Sequence, residues 1–144
     1  MGLGLYNSDQ ELFTGSQKFR PVIDGNLGGT HEEKIYIRND SVTQYFIGIT
    51  LALISTAYDG VGENGYSGIG FKFISGERRP TEAEWDEAVS GATITIPDIG
   101  TVDAADTYTY YPVWVRVYVP GNTDASVIEN FILRLYYFPK IVGA

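Results

Sequence analysis

Cysteine is absent from this sequence, and histidine and methionine occur once each. The lack of cysteine excludes disulfide frameworks, cysteine-ligated zinc, iron–sulfur clusters and thiol catalysis. A single histidine, His31, excludes multi-histidine metal centres. Basic residues are also scarce. Ten Lys and Arg stand against 18 Asp and Glu, a formal net charge of -8. That is the wrong balance for a protein that binds nucleic acid by neutralising phosphates. Long apolar runs are missing too. The longest, residues 45–54, contains Gly48 and Thr50 and is about half the length that spans a bilayer. The first ten residues lack the cationic start and apolar stretch of a secretory leader. Tyr6 occupies the position where myristoylation requires Ser or Thr. These absences lead us to expect no nucleic-acid partner, no membrane and no cofactor.

Aromatic residues, by contrast, are plentiful: 11 Tyr, 7 Phe and 2 Trp in 144 residues. The length suits one domain with a core large enough to need no staple. The dominant period is two. In residues 113–119 the valines share one face, while Trp114, Arg116 and Tyr118 share the other. Residues 131–137 repeat the plan, with Phe131, Leu133 and Leu135 opposite Ile132, Arg134 and Tyr136. Such alternation with β-branched residues predicts strands with one face in a core. Residues 120–130, opening on Pro120-Gly121-Asn122, read as the turn that joins these two strands into a hairpin.

Further strands are expected at 34–38, 45–55, 70–75, 93–96 and 107–111, with edge strands at 3–6 and 18–23. In residues 45–55, Tyr45, Ile47, Ile49, Leu51 and Leu53 fall on one face. Pro112 after the 107–111 strand implies a bend, bulge or edge, since proline cannot donate to a ladder. One helix is expected after Pro80. Thr81 and Glu84 form a capping box, acids crowd the first turns, Trp85 and Val89 share a docking face, and Gly91 is the stop. The expected fold is an all-β, two-sheet antiparallel sandwich, immunoglobulin-like or jelly-roll, with one short helix. Residues 1–29 are expected to form an N-terminal arm or edge segment and residues 30–144 the sandwich domain.

Catalytic groupings are thin. His31 neighbours Glu32, but adjacent strand residues point to opposite faces and do not converge. The loop from Asp59 to Gly65 offers Asp59, Glu63 and Asn64 as oxygen ligands, yet Val61 breaks the alternate-ligand pattern of an EF-hand. Asp98, Asp103 and Asp106 form a second acidic stretch, without a motif to mark them as a glycosidase pair. No Gly-x-Ser-x-Gly nucleophile turn occurs. No catalytic, metal or cofactor residue is therefore named, and no enzyme activity is expected.

The aromatic set is the main candidate. Tyr108, Tyr110, Tyr111, Trp114, Tyr118, Tyr136 and Tyr137 gather on the last strands. They suit packing on a second sheet face, for instance under the helix. A protein interface, where Tyr, Trp and Arg provide hot spots, is the next reading, and a sugar-stacking platform the third. Arg116 and Arg134, facing each other across the expected hairpin, would repel unless carboxylates intervene. Acids of the helix or of another subunit would supply these.

Residues 34–39, 79–85, 96–100, 112–120 and 130–135 together resemble the small β-sandwich structural proteins of tailed bacteriophages, including head-decoration and other accessory virion proteins. The resemblance covers residues 30 to 138 or so and carries no catalytic motif. It implies a non-enzymatic virion protein that lacks a signal peptide and assembles in the host cytoplasm. It also implies attachment to capsid or tail subunits, or symmetric self-association, often trimeric. The expected contact residues are Trp114, Arg116, Tyr118, Arg134 and Tyr136, with Leu12 and Phe19 from the N-terminal arm. A carbohydrate-binding, host-recognition module using Tyr108, Tyr110, Trp114 and Tyr118 is the alternative.

Overall fold

The period-two segments pair into two antiparallel sheets whose apolar faces cover each other. The computed structural model describes residues 2–9, 11–13, 23–24, 29–55, 70–89, 91, 93–101, 109–119, 127–128 and 131–142. Its elements are β1 (Leu3–Tyr6), β2 (Ile23–Asp24), β3 (Gly29–Asn39), β4 (Gln44–Ser55), β5 (Gly70–Ser75), α1 (Glu82–Glu87), β6 (Thr93–Ile96), β7 (Tyr110–Val119), β8 (Val127–Ile128) and β9 (Phe131–Ile141). The larger sheet has the order β1-β3-β7-β5, the smaller β6-β4-β9, and β2 pairs with β8. The expected all-β sandwich with one short helix is the observed architecture. The larger sheet contributes Leu5, Ile35, Ile37, Phe71, Val113, Val115 and Val117 to the core. Phe46, Ile49, Leu51, Leu53, Ile96 and Leu133 meet them from the smaller one, with Ile99 beside them. No helix among the described residues is long and apolar enough to cross a membrane.

The expected hairpin between residues 113–119 and 131–137 does not form. Strand β7 is flanked by β3 and β5, whereas β9 pairs with β4 in the other sheet. Alternation specifies which face a side chain takes, not which strand lies alongside. A connection of this length leaves the pairing free, unlike a two-residue turn. Arg116 and Arg134 consequently lie on different sheets.

Strand β4 also departs from simple alternation. Ile47 stands opposite Phe138 and Thr50 opposite Tyr136, so Gly48 and Ile49 together face Tyr137 alone. This is a β-bulge, and Gly48 adopts the left-handed φ of 60° that such an extra residue needs. The bulge shifts the phase. Phe46 and Ile49, three apart, both point into the core, while Tyr45 is exposed. The expected single stripe from Tyr45 to Leu53 is therefore broken at Gly48.

Pro112 lies inside β7 rather than before it. Gly76 N–H donates to the Pro112 carbonyl at 3.0 Å, which places the proline nitrogen on the same side, just past the last β5–β7 pair, Ser75 with Val113. The donor that proline lacks would thus have faced Gly76, beyond the paired part of β5, and the β3–β7 ladder loses none. The helix forms with the expected capping box: Glu84 N–H donates to Thr81 Oγ1 at 3.2 Å, and Thr81 N–H to Glu84 Oε1 at 2.8 Å. It is shorter than expected, ending before an extended Ala88. Gly91 N–H then bonds the Phe71 carbonyl at 2.8 Å, so the chain is drawn to the β5 edge. Only Trp85 docks; Val89 points to solvent.

Gly48→Ala is expected to lower unfolding stability by about 1–2 kcal/mol, the cost of a left-handed non-glycine residue. A Cβ there would also meet Phe138 Cδ2 at 2.8 Å. Urea denaturation checks this, and an unchanged midpoint would show that the bulge is not required.

Candidate interaction surface

Each sheet has an outer face, and the two faces are treated differently. On the larger sheet, Glu32, Arg116 and Lys72 line up across β3, β7 and β5, next to Lys34, Trp114 and Ile74. The helix lies over this area. Trp85 is 1% exposed, and the Arg116 guanidinium sits 5.1 Å from its ring centre, a cation–π contact. Arg116 Nη2 donates to Glu32 Oε1 at 3.1 Å and also to Glu82 of the helix. Arg79 Nε donates to the other Glu32 oxygen at 2.9 Å. Lys72 Nζ donates to the Trp85 carbonyl at 2.7 Å, at the helix end where a cation is favoured.

These contacts set the ionisation of the acids. Burial alone would raise the Glu32 carboxyl, but hydrogen bonds from Arg79 and Arg116 overcome that and hold it below the ordinary carboxylate value. The Arg116 hydrogen bond likewise lowers Glu82. Glu84 is pulled down to about 2 by Arg78, with help from the Thr81 N–H.

The opposite end of the same face is also occupied. Lys34 Nζ and Tyr36 OH donate to Glu77 Oε1 at 2.6 and 2.8 Å. Tyr36 packs edge-on against Tyr110, and the Arg38 guanidinium lies over Tyr6. Of the expected contact residues here, Trp114 is half-buried, with its indole Nε1 enclosed and unbonded among the described residues. Arg116 is committed to its own helix, the arrangement in which helix acids supply its partner. Tyr118 is exposed at the margin.

The outer face of the smaller sheet carries no such cover among the described residues. Register places Tyr45 beside Lys140, Ile47 beside Phe138, Thr50 beside Tyr136 and Ala52 beside Arg134. Tyr136 is 50% and Phe138 64% exposed on this face, while Tyr137 turns to the other face and packs edge-on against Phe46. Strands β4, β6 and β9 contain no Asp or Glu. The patch is therefore aromatic and cationic on a chain whose total charge is -8. Contiguous apolar exposure of this kind marks interaction sites.

Strand β9 is the sheet edge, yet it is poorly suited to accept another strand. Phe46 uses both its N–H and its carbonyl on Ile99, at 2.9 and 3.0 Å. These groups point away from β9, so the residue opposite, Pro139, turns its own backbone nitrogen to the open edge. A donor is missing where an incoming strand would need one. Recognition here falls to side chains.

The expected contact set is thus divided. Trp114, Arg116 and Tyr118 lie on one sheet, and Arg134 and Tyr136 on the other. Leu12 bridges to Tyr6 and is exposed; Phe19 lies outside the described residues. Phe138 and Tyr45, exposed on the outer face, are not among the contact residues that periodicity names. The run Tyr136-Tyr137-Phe138-Pro139, apolar on both faces of one strand, was the available sign. His31 Nε2 lies 3.0 Å from Glu33 Oε1, two residues on and on the same face, while Glu32 turns to Arg116. No three potential ligands gather at a metal-binding spacing among the described residues. The Asp59–Gly65 loop, Asp103, Asp106 and Tyr108 lie outside the described residues. No protein-family model matches the chain, and no curated protein matches it significantly.

Two outcomes follow from these contacts. Glu32, Glu82 and Glu84 are lowered from 4.5 on folding. Their contribution is present above that value and is lost as pH falls through the folded values, down to about 2 for Glu84. Acid titration is expected to release the helix, read as a red shift of Trp85 emission in a Trp114→Phe background, and Glu84→Gln should flatten the stability change between pH 4.5 and about 2. Pro139→Val is expected to restore an edge donor and increase aggregation in a thioflavin assay, with unchanged aggregation as the contrary result.

Proposed function

We propose that this chain is a non-enzymatic structural protein of a tailed-bacteriophage particle, joined to other particle subunits through the outer face of its smaller sheet. The observation that carries the contact role is the uncovered aromatic pair Tyr136 and Phe138 between Arg134 and Lys140. The likeness of residues 30–138 to head-decoration and accessory virion proteins supplies the setting. The mechanism is additive stabilisation: a protein that binds only the assembled state favours that state by mass action. Aromatic and arginine side chains at the centre of such a contact provide most of its energy. A sugar platform built on Trp114 is less favoured, because the indole N–H is closed off from solvent.

Mass spectrometry of gradient-purified particles, made from the genome that encodes the chain, tests this. The protein is expected in multiple copies per particle. Phe138→Ser should fold yet be depleted from particles, by about thirtyfold if the ring is worth about 2 kcal/mol as a hot spot. Abundant protein in the lysate with none in the particles would overturn the proposal.

A further inference from the structure

The end of the helix has the complementary character to the β9 face. Val89 is 87% exposed. Asp86 and Glu87 beside it are exposed and have no ion-pair partner among the described residues. Adjoining Val89 is an open groove of about 560 Å³, floored by Phe73, Ile74 and Ile94 and rimmed by Glu84 and Glu87. It is thus an apolar recess with an acidic margin. The β9 face has the inverse pattern, with the projecting Phe138 and Tyr136 set between Arg134 and Lys140. Neither cation has an ion-pair partner among the described residues.

One molecule cannot join its own two patches. The groove lies against β6, and β6 and β9 flank β4 on opposite sides. On the footing that the β9 face is an interaction surface, we infer that its occupant is the acidic groove at the helix end of a second copy of this chain. The contact is head-to-tail: Phe138 enters the groove, and Arg134 and Lys140 meet Asp86 and Glu87. Complementary charge sets orientation and speeds encounter between molecules that repel as wholes. The two patches differ, so the contact is heterologous and builds rings or open arrays rather than a two-fold dimer. Pro139 disfavours the competing edge-to-edge pairing of two β9 strands.

Sedimentation velocity over a concentration series tests the arrangement, with circular dichroism to confirm that each variant is folded. Wild-type protein is expected to associate, and more weakly at high salt. Lys140→Glu alone and Glu87→Lys alone should each weaken association about tenfold. Mixing the two variants should restore it, because each contact in an alternating array then pairs opposite charges. Association that survives Glu87→Lys unchanged, or a mixture no stronger than its parts, would overturn the inference. So would a wild-type protein that stays monomeric at every concentration. That last result leaves the particle role to be decided separately by whether the chain is present in purified particles.

Discussion

The inner faces of the two sheets are so apolar that neither can exist without the other. Ile35, Ile37, Val113, Val115 and Val117 on one side and Ile49, Leu51 and Leu133 on the other are all fully buried. Each such side chain is worth about 1.5–3 kcal/mol in burial, and no other element among the described residues is large enough to cover either face. This mutual cover dictates the two-layer form. It also leaves two outer faces, and their different fates determine what the molecule can do.

The larger sheet closes its outer face with its own chain. A six-residue helix could not persist alone. It is held by one buried indole and by Arg116, which links Glu32 of the sheet to Glu82 of the helix. The smaller sheet is given no comparable lid among the described residues, and its aromatic residues meet water. Acidic side chains divide the same way: the helix region carries Glu82, Glu84, Asp86 and Glu87, and the strands of the smaller sheet carry no acid at all.

Much of this was legible in the sequence. Strand positions, the capping box and the layer count follow from local chemistry: period-two alternation and the Thr81–Glu84 spacing need no tertiary knowledge. Pairing was not legible, because residues 113–119 and 131–137 carry the same alternating code and nothing local says that they belong to different sheets. The bulge at Gly48 was equally hidden, since one glycine in an apolar run does not announce an added residue. That omission had a consequence for the site. Without the change of phase, Tyr45 shares a face with Ile49, Leu51 and Leu53, and it is the hairpin expected between residues 113–119 and 131–137 that makes the aromatic set appear as one surface when it lies on two sheets. Arg116 shows the same limit: its position on an outer face was correct, but its occupation by the helix depends on where Trp85 docks.

The Gly48 bulge has a further effect on how β4 and β9 find each other. A regular ladder looks alike after every two-residue step, so a strand can settle at several offsets with each side chain still on its proper face. Gly48 and Ile49 opposite Tyr137 make one rung unlike all the others. Only one offset seats that rung, and every slipped alignment leaves an irregularity unmatched on one strand. The bulge serves as an index mark, giving an otherwise repetitive pair of strands a single origin from which the whole face, Phe138 included, is counted.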